Sequence, residues 1–146
     1  MTDVHTLLGW IAIGLNAAAA LIGAIAWLLR ANPKPFWWFL RAGQGLIMVE
    51  AVIGAALLLD GKDLPRLHLV YGLTPIAVAF LAEQLKLLAT QTLLDKRGFE
   101  SGADVGKLPQ DEQRAFVTAV LRRELGVMAT SAFVVAVLAA RAQGAL

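Results

Sequence analysis

The sequence contains no cysteine, so disulfides, thiolate metal sites, iron–sulfur clusters and covalently attached c-type haem are excluded. Charged residues are also scarce, at 16% of the 146 residues, whereas a soluble domain carries roughly 25%. Apolar residues make up 58% of the chain, and the mean hydropathy is +0.66. This composition excludes most soluble enzymes and predicts an integral membrane protein.

Basic residues exceed acidic residues by only two, and they fall in predicted loops and not along one helix face. The chain therefore lacks the electrostatic footprint of a nucleic-acid-binding protein. It has no nucleophile–base pair, phosphate loop or metalloprotease motif, which argues against a hydrolase or a kinase. The N-terminal string MTDVHTLL has no positive n-region, so we expect the first apolar segment to be retained.

Four segments are long and apolar enough to cross a bilayer. They cover residues 4–29, 36–59, 67–88 and 116–140. A link with two prolines follows the first segment, a link with glycine and proline follows the second, and a glycine-rich loop over residues 95–109 precedes the fourth. The prediction is a single transmembrane domain over residues 1–146, an all-α four-helix bundle with up-down-up-down topology.

The distribution of lysine and arginine among the links predicts the orientation in the membrane. The basic residues of the first and third links and their flanks are Arg30, Lys34, Arg41, Lys86, Lys96, Arg97, Lys107, Arg114, Arg122 and Arg123. The second link has only Lys62 and Arg66, set against two aspartates. We therefore expect links one and three in the cytoplasm and both termini outside, in a multi-pass protein of a prokaryotic inner or plasma membrane.

The two histidines of the chain occupy matching positions in the first and third segments. His5 begins the string HTLLGWIAI and His68 begins HLVYGLTPI, so glycine follows each histidine by four residues, at Gly9 and Gly72. The second and fourth segments match less well, so a parallel duplication and a chance likeness both remain open. If the first and third helices lie on opposite corners of a bundle, the two imidazoles face each other.

Two opposed neutral imidazoles are the ligands that a six-coordinate haem iron accepts. Residues four apart share a helix face, so Gly9 and Gly72 would leave room for a flat macrocycle beneath the histidines. Cations that could pair with haem propionates lie at the same end of the bundle: Lys62, Arg66 and Arg141. The pattern predicts one haem b bound by His5 and His68 near the outer face.

The strings HTLLG and HLVYG resemble the histidine motifs of the haem A synthase family and of related small b-type membrane cytochromes. In those proteins, paired histidines followed by small residues lie on alternate helices of a four-helix unit. The resemblance implies haem ligation by His5 and His68. It does not imply the synthase activity, because this chain has one such unit and no second histidine pair.

The leading hypothesis is a small membrane cytochrome that exchanges electrons with a quinone or with a membrane or extracytoplasmic partner. The alternative is a cofactor-free accessory subunit, a homo-oligomer or a lipid-interacting protein, with solvated histidines and with glycines that serve as helix contacts. A two-histidine metal site would need a third ligand, for which only Asp60 and Asp63 are near. An intramembrane enzyme or transporter would need Glu50 and the cytoplasmic charges to line a cavity.

Glu50 lies well inside the second segment, where an ionised side chain costs at least ~2.5–3.5 kcal/mol. Counting along the segments places Asn16 at a similar depth. A hydrogen bond from Glu50 to Asn16 is one interpretation, and a proton or quinone site is the other. Nearer the cytoplasm, we expect ion pairs such as Glu83 with Arg122 or Arg123, with anionic lipid headgroups or a partner's acidic surface as alternative ligands.

Overall fold

A computed structural model describes residues 2–61 and 65–146. The helices are α1 (Thr2–Leu28), α2 (Lys34–Leu59), α3 (Arg66–Lys96), α4 (Gly102–Val105) and α5 (Gln110–Ala142), and the described residues include no strand. By length and composition, α1, α2, α3 and α5 can each cross a membrane. The prediction of an all-helical protein with four membrane-length helices is confirmed.

Two helices extend beyond the predicted spans. α3 continues to Lys96 and does not end near residue 88. α5 begins at Gln110, six residues before the predicted span, and has Asp111 and Glu112 in its first turn. Acidic side chains favour a helix N-terminus, so this start follows from the sequence.

The segment 95–109 is more ordered than the predicted loop. The short helix α4 is closed by a capping box, in which Ser101 accepts from the backbone N–H of Ala103 and Asp104 accepts from that of Ser101. Val105 then packs with Leu94 of α3 and Phe116 of α5 in a small buried cluster. This cluster joins the ends of α3 and α5.

The start of α1 lies beside the end of α5, at Gly9 and Gln143, and the start of α3 also lies beside the end of α5, at His68 and Ala142. α1 packs against α2 and α5, and α3 packs against α5, whereas α2 and α3 make few contacts. One end of the molecule, named here the histidine end, contains the starts of α1 and α3 and the ends of α2 and α5. The opposite end, where α1 ends and α4 lies, is named the loop end.

Small residues let α1 approach its neighbours closely. Ala12, Ala19 and Ala26 recur every seven residues and are 0–3% exposed. A Cβ added to Gly23 would lie only 2.7 Å from the ring of Phe36. Close contacts between small residues are a main source of helix association in lipid. Many large apolar side chains lie on the outside instead, such as Leu29, Trp38 and Phe80, which are 72%, 77% and 63% exposed.

Candidate functional site

The two histidines meet at the histidine end of the molecule. His5 lies near the start of α1 and His68 near the start of α3, and both are partly buried. Their ring centroids are 5.9 Å apart, and the ring planes are inclined at 68°. The fold therefore brings together the two residues that the sequence singled out.

Each histidine has an oxygen close to its Nδ1 atom. Nδ1 of His68 is 2.9 Å from the carbonyl oxygen of Ala142, in hydrogen-bond geometry. Nδ1 of His5 is 2.9 Å from Oε2 of Glu50, but the contact is not aligned as a hydrogen bond. When a neutral imidazole donates from Nδ1, its Nε2 carries the lone pair that can bind a metal.

A cavity of about 160 Å³ adjoins the two rings. Eight of its eighteen lining residues are glycine or alanine: Gly9, Ala12, Ala51, Gly54, Ala55, Gly72, Ala139 and Ala142. Leu58 of α2 and Leu73 of α3 line the same cavity and are 46% and 55% exposed. The cavity thus adjoins the outer surface along the side where α2 and α3 barely touch.

The two predicted glycines differ in what lies beside them. A Cβ on Gly72 would meet no atom within 4 Å, so this position leaves open space, as predicted. A Cβ on Gly9 would lie 1.9 Å from Nε2 of Gln143, so the notch at Gly9 is filled by that side chain. Sequence reasoning missed Gln143. It also missed Gly54, which shares a helix face with Glu50. A Cβ added to Gly54 would lie 3.7 Å from Cε1 of His5.

Glu50 does not pair with Asn16, and that expectation is wrong. Oε2 of Glu50 lies beside His5 and only 3.4 Å from the Cβ position of Gly9. Asn16 donates to the carbonyl of Ala12 in its own helix at 2.9 Å. It lies against Gly43, which is seven residues, or about 10 Å, along α2 from Glu50. The register of α1 against α2 therefore places the two polar groups two turns apart.

The structure places the three basic residues proposed to pair with the haem propionates differently relative to the cavity. Lys62 lies outside the described residues. Arg66 is exposed and does not line the cavity. The guanidinium of Arg141 lies 5.9 Å from the ring centre of Tyr71, which lines the cavity, and it also donates to the carbonyl of Leu146. Arg141 is thus linked to the cavity wall through Tyr71.

The charged layer at the loop end has other partners than expected. Glu83 pairs with Arg41 of α2, and with Lys86 at 2.9 Å, so the predicted pairs with Arg122 and Arg123 are wrong. Glu83 lies on the side of α3 that faces α2. Arg122 instead places its guanidinium 4.8 Å from the ring centre of Trp27 on α1.

No group of three His, Cys, Asp or Glu residues that could hold a metal ion occurs within the described part of the chain. A metal site with three such protein ligands therefore does not occur there, whereas a haem needs only two ligands from the chain. Comparison of the chain with protein-family models, curated proteins and solved structures found no match in any of the three.

Proposed function

We propose that the protein is a small membrane cytochrome that binds one b-type haem through His5 and His68. The observation that carries the proposal is the imidazole pair, with centroids 5.9 Å apart at the edge of one cavity. A six-coordinate haem iron accepts two imidazole ligands from the protein. His5 and His68, which meet beside one cavity, would be the residues that hold it.

The groups around the two Nδ1 atoms also support ligation. Histidines that bind a metal commonly present the other ring nitrogen to a carbonyl or a carboxylate, which fixes the orientation of the ring. Ala142 provides the carbonyl for His68, and Glu50 provides the carboxylate for His5. Both Nε2 atoms are then available as ligands.

The size of the cavity limits how a macrocycle could fit. Its volume of about 160 Å³ lies below the roughly 300–1,000 Å³ typical of sites for drug-sized ligands. On the side where α2 and α3 separate, Gly54, Ala55 and Gly72 line the cavity together with Leu58 and Leu73. In this proposal haem b takes the two histidines as ligands and also occupies the space on this side.

Haem b, when bound, supplies a one-electron couple. The carbonyl of Ala142 and the carboxylate of Glu50 would orient the rings of His68 and His5, and the walls of the cavity are largely apolar. Electrons would pass to or from a quinone that reaches the separated α2–α3 side from the lipid, or to a partner protein. We propose an up-down-up-down bundle with both termini outside, which agrees with the alternating helix directions and with the basic residues near the loop end.

The test is a visible absorption spectrum and a pyridine haemochrome assay on protein expressed with haem supplied. We expect a low-spin b-type spectrum with one haem per chain. His68→Gly should abolish the low-spin Soret band, and added imidazole should restore it, because the free ligand fills the vacated position. A colourless wild-type protein, or an unchanged spectrum in His68→Gly, would exclude the proposal.

The second candidate is a cofactor-free accessory subunit of a larger membrane complex. The observation in its favour is the side chain of Gln143, which fills the notch at Gly9 beside the small cavity. This function predicts a colourless protein that co-purifies with other membrane subunits. The absorption spectrum therefore separates the two candidates.

A further inference from the structure

A groove runs between α1 and α5 on the outer surface, toward the loop end and away from the histidines. Its volume is about 580 Å³. Small residues of both helices line it, namely Ala20, Ala24, Gly126 and Ala129, together with the larger Trp27 and Phe133. Thr130 also lines the groove, but its hydroxyl donates to the carbonyl of Gly126, so the lining is mainly apolar and suits a hydrocarbon chain.

An unpaired cation lies beside Trp27, which lines the groove. The guanidinium of Arg122 stacks 4.8 Å from the ring centre of Trp27, and its Nε is buried without a hydrogen-bond partner among the described residues. The indole N–H of Trp27 also lacks an acceptor in the part of the chain that the structure describes.

The nearby carboxylates are committed to other groups. Glu83 pairs with Arg41 and Lys86, and Glu124 accepts from Thr90. Arg122 is partly buried, and its Nε has no hydrogen-bond partner among the described residues, so an anion beside it would be favoured.

We propose that this groove binds one anionic membrane phospholipid, with an acyl chain along Ala20, Ala24 and Ala129 and with the phosphate beside Arg122. Arginine is well suited to a phosphate because its N–H groups form a planar fork. Tryptophan is enriched at the level of lipid headgroups, where Trp27 would lie. Lys34 adds positive charge at the same end, which favours an anionic headgroup over a zwitterionic one.

A second copy of the chain is a poorer occupant of the groove. In a symmetric dimer about an axis along the membrane normal, each subunit presents the same surface at the same depth. Arg122 of one copy would then lie at the same depth as Arg122 of the other, so that two cations would come close together if they lay near the axis. The charge pattern thus favours the lipid.

The experiment measures lipid retention by native mass spectrometry of purified protein exchanged into mixed micelles of phosphatidylglycerol and phosphatidylcholine. Wild type should retain phosphatidylglycerol at least about fivefold more strongly. Arg122→Ala should lose this preference. Arg123→Ala should keep it, because this substitution removes the same charge at an exposed position. Ala24→Trp should fill the groove and reduce retention of both lipids, and inorganic phosphate should not displace the bound lipid.

Three outcomes would overturn the proposal: equal retention of the two lipids by wild type, equal losses in Arg122→Ala and Arg123→Ala, or full retention in Ala24→Trp. A crosslinked dimer that Ala24→Trp abolishes would assign the groove to a second copy. If Arg122→Ala does not fold, Arg122→Gln and Ala24→Trp still decide the matter. Loss of haem binding in any variant bears on the histidine site and not on this one.

Discussion

The role assigned to the Glu50 side chain depends on which residue lies next to it. A buried carboxyl beside an asparagine is a structural hydrogen bond, whereas a carboxyl 2.9 Å from Nδ1 of a histidine orients that ring. The other carboxyl oxygen, Oε1, is buried and lacks a hydrogen-bond partner among the residues described. If His5 is a haem ligand as proposed, Glu50 would position its ring through this close contact.

Replacement of Glu50 should weaken haem binding if His5 is an axial ligand. Loss of a group that orients a metal-ligating histidine typically lowers metal affinity by about 10–100-fold. We expect Glu50→Ala to lower haem affinity by this factor, measured by haem titration of the apoprotein. Asn16→Ala is the control, because Asn16 is also buried but hydrogen bonds only its own helix. Equal losses in the two variants would contradict a specific role for Glu50.

The histidines were predictable from sequence, but their surroundings were not. Two histidines, each followed by glycine after four residues, point to a pair wherever the helices lie on opposite corners. The partner of Glu50 depends on how far α1 slides along α2, and a shift of one turn exchanges the residues that meet. An apolar helix carries no signal for that register. The filling of Gly9 by Gln143 likewise depends on how α5 ends.

At the scale of helices, the contact of α1 with its neighbours depends on glycines at specific positions. A Cβ on Gly23 would lie 2.6 Å from Cβ of Ala129 and 2.7 Å from the ring of Phe36. Gly14 lies on the same helix, and a Cβ there would meet nothing within 4 Å. The two glycines thus provide a matched pair within one helix.

Gly23→Ala should destabilise the protein, because neither neighbour is the end of a flexible chain. Overpacking of this kind costs about 1–3 kcal/mol. Gly14→Ala should be neutral or stabilising by up to about 1 kcal/mol, since alanine favours helix. Thermal unfolding in one detergent measures both variants. Equal melting temperatures would show that α1 can move away from α2 and α5 without cost.

We expect the stability of the short helix α4 to depend on pH. A hydrogen bond from Lys107, together with the backbone N–H of Ser101, holds the pKa of Asp104 below its ordinary value of 3.8. A lowered pKa in the folded state contributes stability above the unfolded value, and this stability is lost as the pH falls through the folded value. We expect hydrogen-exchange protection of residues 101–105 to persist at neutral pH and to decline below about pH 4.

The pH effect should disappear in Asp104→Asn, which loses protection at neutral pH as well. Asp111→Asn removes the same charge from the nearby first turn of α5, and it should leave the protection of α4 unchanged. Protection in Asp104→Asn equal to that of wild type would mean that Ser101 alone closes the cap.

At the scale of the whole molecule, composition and segment length were enough to predict four membrane-length helices. Each span is a continuous apolar run, so its existence does not depend on contacts with the others. The end of α3 was less predictable, because α3 extends beyond its apolar run and is joined to α5 through Leu94, Val105 and Phe116. That cluster forms between residues that are far apart in the sequence, and hydropathy alone does not predict such contacts.

The orientation in the membrane is open to a direct test because the chain has no cysteine. Single cysteines at Asp3 and Ala145 would report the histidine end, and one at Glu100 would report the loop end; all three positions are exposed. Since lysine and arginine concentrate near the loop end, that end should face the cytoplasm. A membrane-impermeant maleimide should label Asp3→Cys and Ala145→Cys in intact spheroplasts, and Glu100→Cys only after permeabilisation. The reverse pattern would put the histidines on the cytoplasmic side, and any redox partner of the proposed cytochrome would then have to be sought there.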